Sequence, residues 1–133
     1  MKKILLGSVL LLSVMSLVNA LSTWSTAYSY ELKSSDGWKR NTTVGEWMGN
    51  LKDSDKNKYD VYTVSKTMWS SPKFRVVNSD NAVISDVVTT ASTGRYATGK
   101  ENVGIKGYAY YGSVKPAWNQ TGTDRIKLQF RVY

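Results

Sequence analysis

Neither cysteine nor histidine occurs anywhere in this chain of 133 residues. Without cysteine there are no disulfides, so a small domain has to be held by packing and strand pairing alone. Losing both residue types also removes every thiol nucleophile, the commonest general base, the usual zinc and copper ligands and the Ser-His-Asp arrangement. Glutamate is scarce, with only Glu31, Glu46 and Glu101. A carboxylate pair would permit glycoside hydrolysis, yet a domain this small leaves little room for a substrate cleft. The expectation is therefore a protein that is not an enzyme, with no cofactor and no metal. The run Asp53-Ser54-Asp55-Lys56-Asn57 starts like a calcium loop, but Lys58 occupies the position of the turn glycine and Val64 that of the bidentate glutamate. With Lys52, Lys56 and Lys58 close by, it reads as a solvated loop.

After residue 18 no apolar run approaches the roughly 20 residues that a membrane-spanning helix needs. The run that does exist, 4–18, follows Lys2-Lys3 and ends in the small-residue stretch Val18-Asn19-Ala20. That is the pattern of a secretory signal peptide over 1–20, which leaves residues 21–133 as one exported domain beginning at Leu21. The absence of cysteine after the leader argues against a lipid anchor and leaves free secretion or non-covalent attachment to the envelope. Two of the eighteen Lys and Arg fall in the leader and none of the ten acidic residues does, so the exported part carries a net charge of about +6. Outside the cell such a charge meets cell-wall polymers, acidic glycans and anionic membrane surfaces before it meets nucleic acid. It also serves simple solubility. Asn41-Thr42-Thr43 and Asn119-Gln120-Thr121 match the glycosylation acceptor pattern, but the compact Met-Lys-Lys leader and Lys-rich chain look bacterial, where these are polar turns.

What the chain has in quantity is alternation. Tyr28-Ser29-Tyr30-Glu31-Leu32-Lys33 alternates, as does Ile126-Lys127-Leu128-Gln129-Phe130-Arg131-Val132-Tyr133. Segments 59–67, 73–78, 82–90 and 103–111 are rich in Val, Ile, Tyr and Thr, which suit a pleated surface, and 38–47 is a weaker candidate. Ser34-Ser35-Asp36-Gly37 and Asn78-Ser79-Asp80-Asn81 read as hairpin closures. Further turns fall at Thr93-Gly94, Gly99-Lys100-Glu101-Asn102 and Thr121-Gly122-Thr123-Asp124. No helix is required. The expected fold is all-β, a single antiparallel β-sandwich or small barrel of about seven to eight short strands.

Five tryptophans and nine tyrosines stand above background. Packing is expected to absorb about three of the five tryptophans. Trp38, beside Lys39 and Arg40, and Trp118, after Pro116, lie in loop-like stretches where an indole can stack on a sugar or anchor at a lipid interface. In Tyr108-Ala109-Tyr110-Tyr111, a strand places Lys106, Tyr108 and Tyr110 on one face. If that face is outward it forms an aromatic, basic strip, which Lys127 and Arg131 extend if the strands are neighbours; a cross-strand tyrosine ladder is the other reading. Lys73, Arg75 and Arg95 read as ordinary solvent-facing charges. The candidate binding residues are thus Trp38, Lys39, Arg40, Lys106, Tyr108, Tyr110 and Trp118.

The order of Tyr28-Ser29-Tyr30-Glu31-Leu32-Lys33 after a leader, a middle hairpin, Gly94-Arg95-Tyr96 and a Gly/Tyr-rich late strand resembles small secreted proteins of Gram-positive bacteria. The chain is also similar to the lactococcin 972-like bacteriocins, exported, basic, cysteine-free β-sandwiches that end in an aromatic strand, although it is longer and lacks their histidine-rich early segment. Both likenesses imply a secreted all-β module. The leading expectation is a secreted binding protein for an envelope or extracellular anionic or glycan partner. A bacteriocin-like antimicrobial is the alternative, and a wall-glycan enzyme acting through Glu46 or Glu101 comes third.

Overall fold

The structure, a computed structural model, describes residues 24–40 and 49–133. The expected leader, the Asn41-Thr42-Thr43 sequon, Glu46, Trp47 and most of segment 38–47 lie outside the described residues. Among the described residues there are nine strands and no helix: β1 (Tyr28–Lys33), β2 (Lys39–Arg40), β3 (Asn50–Leu51), β4 (Tyr59–Lys66), β5 (Lys73–Val77), β6 (Val88–Thr89), β7 (Tyr96–Gly99), β8 (Ala109–Lys115) and β9 (Thr123–Val132). One sheet runs β1-β9-β4-β7; the other runs β2-β8-β5-β6, with β3 pairing farther along β8. All pairings are antiparallel and the two sheets pack against each other as a β-sandwich.

Alternation decides which side chains meet between the sheets. β1 buries Tyr30 and Leu32, β9 buries Ile126, Leu128, Phe130 and Val132, and the facing sheet contributes Phe74, Val76, Tyr110 and Val114. Phe74 is central, its ring 5.7 Å from Phe130 and 5.9 Å from Tyr59. Full burial of such a side chain contributes about 1.5–3 kcal/mol. Its space comes from Gly112, where a Cβ would stand 2.8 Å from the Phe74 ring.

Two expected strands are corrected. In segment 82–90 only Val88–Thr89 is strand, preceded by single bridges at Val83 and Ser85. The segment is shared between sheets: the Ile84 amide donates to Val76 O at 3.1 Å, whereas Ile84 O accepts from the Asn102 amide at 2.9 Å. The Ser85 hydroxyl takes the Val76 amide and the Asp86 carboxylate the Lys100 amide, so side chains replace ladder bonds. In 103–111, strand begins only at Ala109. Gly107 turns the chain with φ 90, and the Ile105 amide donates to the Tyr110 hydroxyl at 2.5 Å, which folds 105–108 into a turn. Ser34-Ser35-Asp36-Gly37 does not close a hairpin either, because it carries the chain from β1 in one sheet to β2 in the other. Asn78-Ser79-Asp80-Asn81 is a tight turn as expected, with the Asn78 side chain accepting from the Asp80 and Ala82 amides and Asn81 at φ 65. β3 and β7 are strands that pattern reading missed.

At one end of the sandwich the sheets are tied by a buried ion pair. Lys52, which follows β3, is 2% exposed, and Glu101, which follows β7, is 0% exposed. The Lys52 ammonium donates to Glu101 Oε2 at 3.2 Å, to Lys56 O at 2.5 Å and to the main-chain oxygen of Tyr133, so its three protons are all used. Lys52, at the foot of the loop read as solvated, is thus itself withdrawn from water. Burial pushes the Glu101 carboxyl above its ordinary value, and the neighbouring ammonium only partly offsets that rise. Gly104 is required beside it, since a Cβ there would overlap the carboxylate.

Removing one partner strands the other charge, so Lys52→Met is expected to cost about 3–5 kcal/mol in urea unfolding, with most of it recovered in Lys52→Met/Glu101→Met. In the interval between the ordinary and the raised Glu101 values the folded state holds more protons than the unfolded chain, so this carboxyl makes stability fall as pH rises through that interval. Glu101→Gln is expected to flatten that part of the stability-pH curve, measured by thermal unfolding at successive pH values.

Candidate functional site

Pairing between β5 and β8 builds the candidate site. With Phe74 and Val76 turned inward, Lys73 and Arg75 project from the outer face, and opposite them on β8 stand Lys115 and Ser113. β2 brings Arg40 opposite Ser113 on the same side. Lys73 and Lys115 are therefore directly cross-strand neighbours, an arrangement in which like charges repel. Neither has a carboxylate within ion-pair distance among the described residues. The two arginines sit over aromatic rings. The Arg75 guanidinium is 4.0 Å from the Trp38 centroid and that of Arg40 is 3.9 Å from Tyr111, contacts worth about 0.5–1 kcal/mol each when exposed. Arg40 also donates to Ser79 O at 2.8 Å, which holds its fork in place. Partial burial against Trp38 lowers the Arg75 value without discharging it.

Two tryptophans stand at the rim of this face, and both are outward. Trp118 occupies a turn closed by the Gln120 amide donating to Ala117 O at 3.1 Å. The turn is anchored by buried Pro116 and by Gln120, whose side chain donates to Leu32 O at 2.7 Å, so Trp118 is left 92% exposed. Trp69 follows buried Met68 and is 73% exposed. The Lys66 ammonium donates to Ser70 O at 3.1 Å and steadies that bend. Trp69 and Trp118 flank one hollow of about 420 Å³ together with Ser71, Lys73, Thr89 and Asn119. A second, of about 230 Å³, shares Lys73 and Trp118 with the first and is lined also by Lys115, Ser34 and Asp36. Asp36, the acid nearest to these lysines in the lining, is engaged elsewhere: it pairs with Lys39 at 2.8 Å and accepts the Lys33 amide, and these bonds lower its carboxyl value.

The sequence-derived candidates separate. Trp38, Arg40 and Trp118 belong to this face or its rim. Lys39 does not, because its ammonium is held by Glu31 O and Asp36 at the edge of β1. Tyr110 is 4% exposed and sits in the core, so the strip of Lys106, Tyr108 and Tyr110 does not exist. Lys106 and Tyr108 are exposed, but they precede β8, and Tyr108 lines a separate hollow of about 360 Å³ whose lining is mixed, with Val83, Val103 and Ile105 beside Asn78, Ser79 and Asp80. Lys127 and Arg131 project from the other sheet and cannot extend the strip. Glu101 is sealed against Lys52 and offers no carboxylate to a substrate; Glu46 lies outside the described residues. Asp53 pairs with Arg131 at 3.7 Å and the Ser54 hydroxyl takes the Lys56 amide, so neither joins an oxygen cage.

Pattern reading passed over Trp69, Lys73, Arg75, Tyr111 and Lys115. The alternation Lys73-Phe74-Arg75 contained the signal, but only the β5–β8 register shows that these cations stand beside Lys115. Comparison with protein-family models, with curated proteins and with solved structures finds no match.

Core and rim aromatics are expected to behave oppositely on truncation. Tyr110→Ala should cost about 3–5 kcal/mol by chemical denaturation, whereas Trp118→Ala should change stability by no more than about 0.5 kcal/mol.

Proposed function

We propose that this is an exported, non-enzymatic binding protein whose β2-β8-β5 face holds an anionic polymer of the cell envelope or its surroundings. The observation that carries the reading is the pairing of Lys73 with Lys115 without an acidic partner among the described residues, next to Arg40 and Arg75. A protein tolerates directly opposed like charges where a ligand supplies the missing counter-charge, and the repulsion relieved on binding adds to affinity. The stacked guanidiniums are held in place before binding, so less side-chain entropy is lost on contact. The leader pattern in 1–20 and the net positive charge support an extracellular, anionic partner. Binding rather than catalysis is favoured by the lack of histidine and cysteine and by the sealed Glu101.

Polyanion binding measured by titration calorimetry across a salt series tests this. Lys73→Gln/Lys115→Gln is expected to weaken binding of inorganic polyphosphate about tenfold, or 1.4 kcal/mol, and to make the affinity less steeply dependent on salt. Lys106→Gln, which removes a charge outside the face, is expected to leave both unchanged. Equal effects of the two substitutions would exclude this face as the site.

A further inference from the structure

Cations alone would hold any polyanion, but the rim of the face is built for something more particular. Trp69 and Trp118 are 73% and 92% exposed, and neither contributes to the core. Soluble domains seldom leave two indoles so bare around one hollow, and a rimmed exposed apolar surface of this kind marks a binding site. The lining between them is polar: Ser71, Thr89 and Asn119 supply hydroxyl and amide groups, and Lys73 supplies a charge. An indole face beside hydroxyl and amide groups matches a pyranose ring, which has an apolar face of C–H bonds and an edge of hydroxyls. A phosphate chain without rings has nothing to offer the indoles. Trp118 and Lys73 line both hollows, and Lys115 opens into the second. Because the two hollows share Trp118 and Lys73, one chain occupying both would set its rings against Trp118 and its acidic substituents toward Lys73 and Lys115.

We infer that the ligand is an acidic glycan, a chain of sugar rings bearing carboxylate or phosphate groups, read by Trp69 and Trp118 through its rings and by Lys73 and Lys115 through its charges. This rests on the polyanion reading of the same face and narrows it to a ligand class. The test measures three polymers of comparable length, polygalacturonate (rings and charge), inorganic polyphosphate (charge without rings) and dextran (rings without charge), by calorimetry and by intrinsic tryptophan fluorescence. Trp69→Ala/Trp118→Ala is expected to weaken polygalacturonate binding at least tenfold and polyphosphate binding less than twofold, and polygalacturonate is expected to shift tryptophan emission to the blue in the wild type. Trp118→Phe keeps a ring and should recover part of the polygalacturonate affinity. Dextran should bind far more weakly than polygalacturonate. Equal losses for polyphosphate and polygalacturonate, or no loss for either, would overturn the inference. So would a dimer in sedimentation that the double tryptophan variant converts to monomer, because the indoles would then serve a contact between copies. If Lys73→Gln/Lys115→Gln alters neither polymer, the polyanion reading itself fails, which is a separate result.

Discussion

A lysine and a glutamate enclosed together at one end of the sandwich are the constraint on which the arrangement of the chain depends. Desolvating two charges costs several kcal/mol each, and that cost is recovered only when geometry and hydrogen bonding are nearly complete. On the lysine side the condition is met, because Lys52 spends its three protons on Glu101, Lys56 O and the main-chain oxygen of Tyr133. These acceptors come from separate parts of the fold: Glu101 follows β7, Tyr133 follows β9, and Lys52 itself follows β3 on the other sheet. One ammonium therefore sets how the two sheets meet at this end. Asn50 reinforces it by accepting the Val132 amide at 2.7 Å.

From that closure follows the character of the two outer surfaces. On the β1-β9-β4-β7 face most charges are compensated, with Arg125 near Glu31 at 3.4 Å, Arg131 near Asp53 at 3.7 Å, and Asp60 accepting from the Tyr133 hydroxyl at 2.7 Å. On the β2-β8-β5 face no ion pair compensates Lys73, Lys115, Arg40 or Arg75 among the described residues, and aromatic rings lie under the arginines. The difference is one of register. Along β9 two outward cations find acids across the ladder, Arg125 facing Glu31 and Arg131 facing Asp60, while Lys127 between them faces Ser29 and Ser65. Along β5 they find Lys115 and Ser113.

Much of the fold was legible in local alternation. β1 spans the stretch expected for it, and the segments expected at 59–67, 73–78 and 126–133 match β4, β5 and most of β9. Failures occurred where the pattern was real but the chain used it otherwise. Val103, Ile105 and Tyr108 have strand propensity, yet they lie exposed in a loop turned at Gly107. The true strand continues past the expected end at 111 and through Gly112, whose missing side chain makes room for Phe74. β7 escaped notice because Ala97 and Gly99 offer little apolar signal, although a ladder with β4 holds them.

For the site the division is sharper. Trp38, Arg40 and Trp118 could be singled out because charge or proline beside tryptophan is a local feature. Lys39 and Tyr110 look no different in sequence, yet one is spent on a strand edge and the other on the core. By itself the sequence determined an all-β class, a basic surface and chemistry without thiol or imidazole, since these depend on composition and on a two-residue period. Only the tertiary structure decided that Lys73 would stand beside Lys115, that Trp69 and Trp118 would share a hollow, and that Lys52 and Glu101 would leave water together. Each of these pairs joins residues distant in the chain, and their juxtaposition is set by strand register and sheet packing, which no local pattern encodes.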